Sequence, residues 1–151
     1  MSDIHFPSWP ELVFQVGFGI HLAEGRVHQF VGGLEFYFWF TSSNKISKKR
    51  LDNGKIISFE HNPRNPNTFP KSPSSLAVYK ESLWVGSSET GLYEYDLEKL
   101  NLIKHHQFDI NDPNSLQTSL ITSLLVKNNE LWIGSGGDGL FLYSENIDGF
   151  T

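Results

Sequence analysis

Among the residues whose types could do chemistry, His105 and His106 stand side by side near the middle of the chain. Two imidazoles suggest a metal site or an acid and base pair. Adjacent residues on a strand point to opposite faces, so this pair cannot readily chelate one ion and reads as part of a polar outer strand. Asp109, Asn111 and Asp112 imitate the start of a calcium loop. No glycine or distal glutamate follows at the required spacing, and a turn capped by its own side chains is the reading preferred. Gly136-Gly137-Asp138-Gly139 carries no following Lys-Ser or Lys-Thr and opens no helix, so it is a tight turn and not a phosphate cradle. Ser72, Ser74 and Ser75 lack the strand-turn-helix context of an activated serine. His61 becomes Ile110 or Asn111 when the chain is laid against itself, which gives it no fixed catalytic part. Tyr93, Tyr95, Phe141 and Tyr143 could stack on sugar rings, but their strand positions favour core packing. No coherent enzyme site emerges, and neither a catalytic residue, a metal ligand nor a cofactor is expected.

The elements that must carry these residues come from the rest of the sequence. The 151 residues hold 38% hydrophobic and 19% charged side chains, an ordinary composition for a folded domain. Aromatics reach 14%, and with 13 glycines this favours pleated strands joined by tight turns. The net charge is -5, and Lys48-Lys49-Arg50 is the one dense basic run. A nucleic-acid surface needs a broader positive field, so no nucleic-acid partner is expected. Cysteine is absent, which excludes disulfides and thiolate sites but leaves the compartment open. No apolar stretch is long enough to span a bilayer. Leu12 to Ile20 is broken by Gln15 and two glycines, and Asp3 and Glu11 precede it, so it does not read as a secretion signal.

Internal repetition is the dominant signal. Leu83-Trp84-Val85-Gly86-Ser87 recurs as Leu131-Trp132-Ile133-Gly134-Ser135, 48 residues later. Gly91-Leu92-Tyr93 and Gly139-Leu140-Phe141 repeat at the same offset. Upstream, Pro66-Asn67-Thr68-Phe69 matches Pro113-Asn114-Ser115-Leu116 at an offset of 47, and Phe59 and Phe108 precede the two runs. A degraded third copy begins with Phe38-Trp39-Phe40-Thr41-Ser42. Strands over Lys45 to Leu51 and Ile56 to Phe59 would follow it, joined by a two-residue type I′ turn within Asp52-Asn53-Gly54-Lys55. The repeats are placed at 36–58, 59–107 and 108–151, with 1–35 matching poorly.

Each clear copy divides into four strands. In the copy at 59–107 these are Ser75 to Tyr79, Ser82 to Ser87, Leu92 to Asp96 and Ile103 to Phe108. In the copy at 108–151 they are Leu120 to Lys127, Leu131 to Ser135, Leu140 to Ser144 and a last one beginning near Phe150. Leu97 to Leu102 is a short-helix candidate, with a plain strand connection preferred. One such sheet cannot bury both faces, so neighbouring copies must stack. Trp84 and Trp132 are then packing residues between stacked sheets, and Gly86, Gly91, Gly134 and Gly139 serve close approach or turns.

The stretch from Phe59 to Phe69, then Leu-Trp-Val-Gly-Ser and Gly-Leu-Tyr-Glu-Tyr-Asp96, resembles the two-component regulator propeller repeat. Asp112 to Leu116 with Leu131 to Leu140 resembles it more closely. Ser87 and Ser135 stand where that family more often has Thr. The match covers 59 to 144 well and 36 to 58 weakly. The resemblance implies an all-β fold, four-stranded antiparallel blades of a β-propeller. About two to three blades would make an incomplete ring, since closed propellers hold about four to eight. It also implies a periplasmic sensor region of a hybrid two-component protein, many of which sense glycans. The chain is thus expected to be a non-catalytic sensor segment that binds a ligand such as carbohydrate when complete. The alternatives are a module associating with other blades or copies of itself, a remnant with no function of its own, and, less favoured, a propeller-type lyase.

Overall fold

A computed structural model describes residues 30–32, 37–42, 44–50, 53–65 and 67–151. Apart from Phe30–Gly32, the poorly matching segment 1–35 lies outside the described residues, as do Asp52 of the expected hairpin and Pro66 of the repeat. Twelve strands form three four-stranded antiparallel sheets, and no helix occurs among the described residues. Sheet 1 holds β1 (Phe30–Gly32), β2 (Tyr37–Ser42), β3 (Lys45–Arg50) and β4 (Ile56–Glu60). Sheet 2 holds β5 (Pro73–Tyr79), β6 (Ser82–Ser87), β7 (Gly91–Asp96) and β8 (Leu102–His106). Sheet 3 holds β9 (Ile121–Lys127), β10 (Glu130–Ser135), β11 (Leu140–Ser144) and β12 (Gly149–Phe150).

Each sheet is a meander of consecutive hairpins, so each strand pairs with its neighbour in sequence. Turn chemistry fits this. Lys127 pairs with Glu130 across Asn128 and Asn129, which sit at φ 52 and 60 as a two-residue hairpin demands. The β3–β4 connection departs from the expected type I′ turn. It is wider, running from Arg50 to Ile56, and of Asn53 and Gly54 only Gly54 is left-handed. The Asn53 side chain accepts the Lys55 amide instead, an Asx turn that holds Asn53 out of the left-handed region. Leu97 to Lys99 form a tight turn between β7 and β8, with the Asp96 carboxylate accepting the amides of Glu98 and Lys99.

The sheets stack in chain order. Period-two alternation splits sheet 2 into two apolar faces. Leu76, Leu83, Val85, Tyr93 and Tyr95 pack with Trp39, Ile46 and Phe69 on the side of sheet 1. Ala77, Tyr79, Trp84 and Leu92 pack with Ile121, Leu124, Leu131, Ile133, Phe141 and Phe150 on the side of sheet 3. Sheet 2 thus has a back face toward sheet 1 and a forward face toward sheet 3, and the equivalent faces of the other two sheets take the same names.

The sequence repeat and the sheets are out of phase. Phe59, which opens the second repeat in sequence, is the penultimate residue of β4 in sheet 1. In that copy the motif begins in the last strand of one sheet, crosses the connecting loop and runs into the next sheet, whereas Phe108, which opens the following copy, lies two residues past the end of β8. The motif's loop is built twice in the same way. Asn62 and Asp109 accept the amides of Arg64 and Asn111, and Asn65 and Asp112 accept those of Asn67 and Asn114. Thr68 and Ser115 close each loop by accepting the amides of Asn62 and Asp109. Each loop then drives one apolar wedge into a sheet junction, Phe69 into the first and Leu116 into the second.

Gly86 marks a close approach in the second junction. A β-carbon there would lie 2.3 Å from Ser75 Oγ and 2.6 Å from Ile121 Cγ2 on the next sheet. Gly134, its equivalent on sheet 3, would meet Ser123 Oγ at 2.2 Å, and its nearest atoms all belong to its own sheet. Ser123 is exposed and free to turn away, whereas Ile121 is locked in the core. Gly86→Ala should therefore cost about 1–3 kcal/mol through overpacking, and Gly134→Ala distinctly less. Urea unfolding of the two variants checks this, and equal losses would contradict the stacking order.

Candidate functional site

The polar groups capable of chemistry gather on β7 and β8, at the two junctions of sheet 2. His105 and His106 do point to opposite faces. His105 pairs across the strands with Tyr93 on the back face, where the two rings stack with centroids 3.8 Å apart. Its Nε2 donates to the Thr90 carbonyl at 2.6 Å. Burial pulls its pKa below the ordinary 6.5 and positive His106 would lower it further, while the bond to Thr90 works the other way.

His106 lies on the forward face and is 5% exposed. It stacks on Trp84 at 5.2 Å and meets the edges of Phe150 at 5.2 Å and Tyr143 at 5.9 Å. Its Nε2 stands 3.9 Å from Glu94 Oε2, too far for a hydrogen bond. Neither His106 Nε2 nor the indole nitrogen of Trp84 has a hydrogen-bond partner among the described residues. Glu94 itself accepts from Ser82 at 2.7 Å. At the rim of this junction Tyr143 donates to Asp148 at 3.1 Å, and Lys104 pairs with Asp148 at 2.5 Å. Lys104 and Tyr143 hold Asp148 below the usual carboxylate range, while burial pushes the Tyr143 phenol up. These groups link β7 and β8 of sheet 2 to β11 and the turn before β12.

The other candidate residues are tied into local structure. His61 Nδ1 donates to the Phe69 carbonyl at 2.9 Å. Ser74 donates to the Ile121 carbonyl at 2.5 Å, linking sheets 2 and 3, and Ser72 donates to Glu89. Ser75 is fully buried beneath Gly86. Asp109 and Asp112 spend their carboxylates on the turn described above. In the Gly136–Gly139 loop, Ser135 accepts the Asp138 amide and donates to the Gly139 carbonyl, and Gly139 sits at φ +96 just as its counterpart Gly91 sits at +98. Tyr93, Tyr95 and Phe141 are buried, and the Tyr143 ring is held among Trp84, Phe150 and His106. Trp84 is buried at the centre of the second junction. Trp132 holds the same register position on sheet 3 but is only half-buried, because no described sheet lies beyond it. Among the described residues no three metal-ligating side chains come together, and no helix is long and apolar enough to cross a membrane. The Glu94–His106–Trp84 node was missed by the sequence reading. The alternation of β7 and β8 places these side chains on one face, but that they meet inside a junction depends on sheet 3.

Comparison with known structures aligns most of this chain. It matches the extracellular domain of the hybrid two component system protein BT3049 of B. thetaiotaomicron at 17% identity over 81% of the chain, with a TM-score of 0.68. It matches the extracellular domain of BT4673 of the same organism, described both as a one component and as a hybrid two component system, at 25% identity over 83% of the chain and a TM-score of 0.61. A computationally designed protein, Ika8, aligns at 14% identity with a TM-score of 0.54. The chain spans only 17% and 15% of the two bacterial domains. No protein-family model and no curated protein matches the sequence.

His105 supplies a pH signature. Its folded pKa lies below its unfolded value, so protonation favours the unfolded chain. Its contribution is complete above about pH 6.5 and declines as the pH falls through that value. Chemical unfolding at pH 7.5 and 5.0 should show a loss of stability on acidification that is smaller in His105→Gln. An identical loss in both proteins would remove His105 from the effect.

Proposed function

We propose that the chain is a non-catalytic segment of a β-propeller sensor domain that acts outside the cytoplasmic membrane and takes a carbohydrate ligand once its ring is complete. The observation that carries this reading is the alignment of 83% of the chain with the extracellular domain of BT4673 at 25% identity. The Leu-Trp-hydrophobic-Gly-Ser and Gly-Leu repeats fall on equivalent strands of sheets 2 and 3, which is what stacked blades require. The non-catalytic reading is supported by the fate of several acid and base groups. His61, His105, Asp109 and Asp112 are all engaged in holding backbone.

Three blades do not close a ring, so the ligand surface is one that further blades help to build. Isothermal titration tests this, run on a folded polypeptide that carries these residues within a domain of the neighbours' length. Saturable binding to at least one member of an oligosaccharide panel is expected. Absence of heat with every oligosaccharide would overturn the carbohydrate assignment.

A further inference from the structure

Sheets 1 and 2 fill the same register positions in two different ways. On sheet 1, Trp39 pairs with Lys48, and Phe59 pairs with Ile46, two residues before that lysine. On sheet 2, Trp84 pairs with Glu94, and His106 pairs with Leu92, two residues before that glutamate. His106 therefore stands where Phe59 stands, and Glu94 where Lys48 stands. The ring stacks match as well. Trp39 and Phe59 have centroids 6.2 Å apart at 25°, and Trp84 and His106 have centroids 5.2 Å apart at 21°. A phenyl ring makes this stack on sheet 1, so stacking alone gives no reason for an imidazole on sheet 2.

The two charges are met differently. Lys48 Nζ lies 5.4 Å from the Trp39 ring centre and 4.9 Å from that of Tyr37, and the negative faces of such rings attract a cation. The same ring faces repel a carboxylate, so Glu94 needs hydrogen-bond donors. Ser82 serves its Oε1 at 2.7 Å. Its Oε2 stands 3.9 Å from His106 Nε2, beyond hydrogen-bond reach. Ser82 holds the carboxylate in place, and the rings of Trp84, Phe150 and Tyr143 enclose the imidazole, so neither group is placed to close that gap. His106 Nε2 is buried without a partner, and the Trp84 indole nitrogen of the same stack is a second buried polar atom without one. Buried polar groups that protein atoms do not reach are met by ordered water.

We propose that the junction between sheets 2 and 3 binds a single buried water that bridges His106 Nε2 and Glu94 Oε2. An oxygen about 2.8 Å from each atom fits beside their 3.9 Å separation. It donates to Glu94 Oε2 and bonds to the imidazole as donor or acceptor according to the tautomer. The His106 and Glu94 side chains are only 4% and 16% exposed, which suits water and not a larger hydroxyl compound. The site lies between two described sheets and involves no ligand, so it stands or falls apart from the carbohydrate reading.

A high-resolution crystal structure of the chain tests this directly. A water oxygen within about 3.2 Å of both atoms is expected. An ordered junction without that water, or a direct hydrogen bond between His106 and Glu94, would overturn the proposal. Magnetic relaxation dispersion of the solvent, which counts long-lived waters in solution, gives a second readout. The double variant His106→Phe with Glu94→Leu installs residue types already found at these register positions, Phe59 on sheet 1 and Leu142 on sheet 3. It should lose the long-lived water while still unfolding cooperatively on heating. An unchanged count in the folded variant would also overturn the proposal, and if the variant does not fold, the crystal structure of the unaltered chain decides.

Discussion

A β-sheet that is apolar on both faces cannot stand alone in water, and this constraint organises the whole molecule. In β6, Leu83 and Val85 turn one way and Trp84 the other, and all three are buried. The same holds for β5 and β7, so sheet 2 must have a sheet on each side. Burying side chains of this size contributes about 1.5–3 kcal/mol apiece. No comparable gain is open to sheet 2 in isolation, because both of its faces are largely apolar.

The stacking constraint also explains how the polar residues are used. Once Trp84 is sandwiched, any titratable group on the same face must either reach the rim or be enclosed with it. Lys104 and Asp148 reach the rim and pair there, where an exposed ion pair is worth about 0.2–1 kcal/mol. His106 is enclosed and stacks on the indole, with Glu94 near but not bonded to it. On the opposite face His105 satisfies itself on the Thr90 carbonyl and the Tyr93 ring. Two adjacent histidines thereby serve two separate junctions, which removes the chelating geometry their adjacency suggests.

Loops carry a second, local constraint. The paired Asx turns at Asn62 and Asn65, and at Asp109 and Asp112, satisfy backbone amides that no strand partner reaches. They also set the spacing that delivers Phe69 and Leu116 into the junctions. The repeat offset of 47 in this part of the chain, against 48 around the tryptophans, is taken up between Leu116 and Ile121, where the chain passes from wedge to first strand. One motif must here both close a turn and fill a core, so it spans the connection between two sheets. That is why its period does not coincide with the boundaries of the sheets.

Much of the architecture was legible in the sequence. Strand identity came from alternation in Leu92 to Asp96 and from the exact recurrence of Leu-Trp-hydrophobic-Gly-Ser, because period two and a fixed spacing are local properties of the chain. The all-β class and the meander order follow from the same signals and from short polar turns such as Asn128-Asn129. Tertiary structure alone decided the rest. Nothing in the sequence distinguishes Trp84 from Trp132, yet one is sealed under sheet 3 and the other is half-buried on a face that no described sheet covers. Nor does it show that His106, Glu94, Tyr143 and Asp148 meet, since they come from different strands and a turn of two sheets. Burial is a property of what lies beyond a residue in space, and in a stack of similar sheets that depends on which neighbour is present, not on the residue itself.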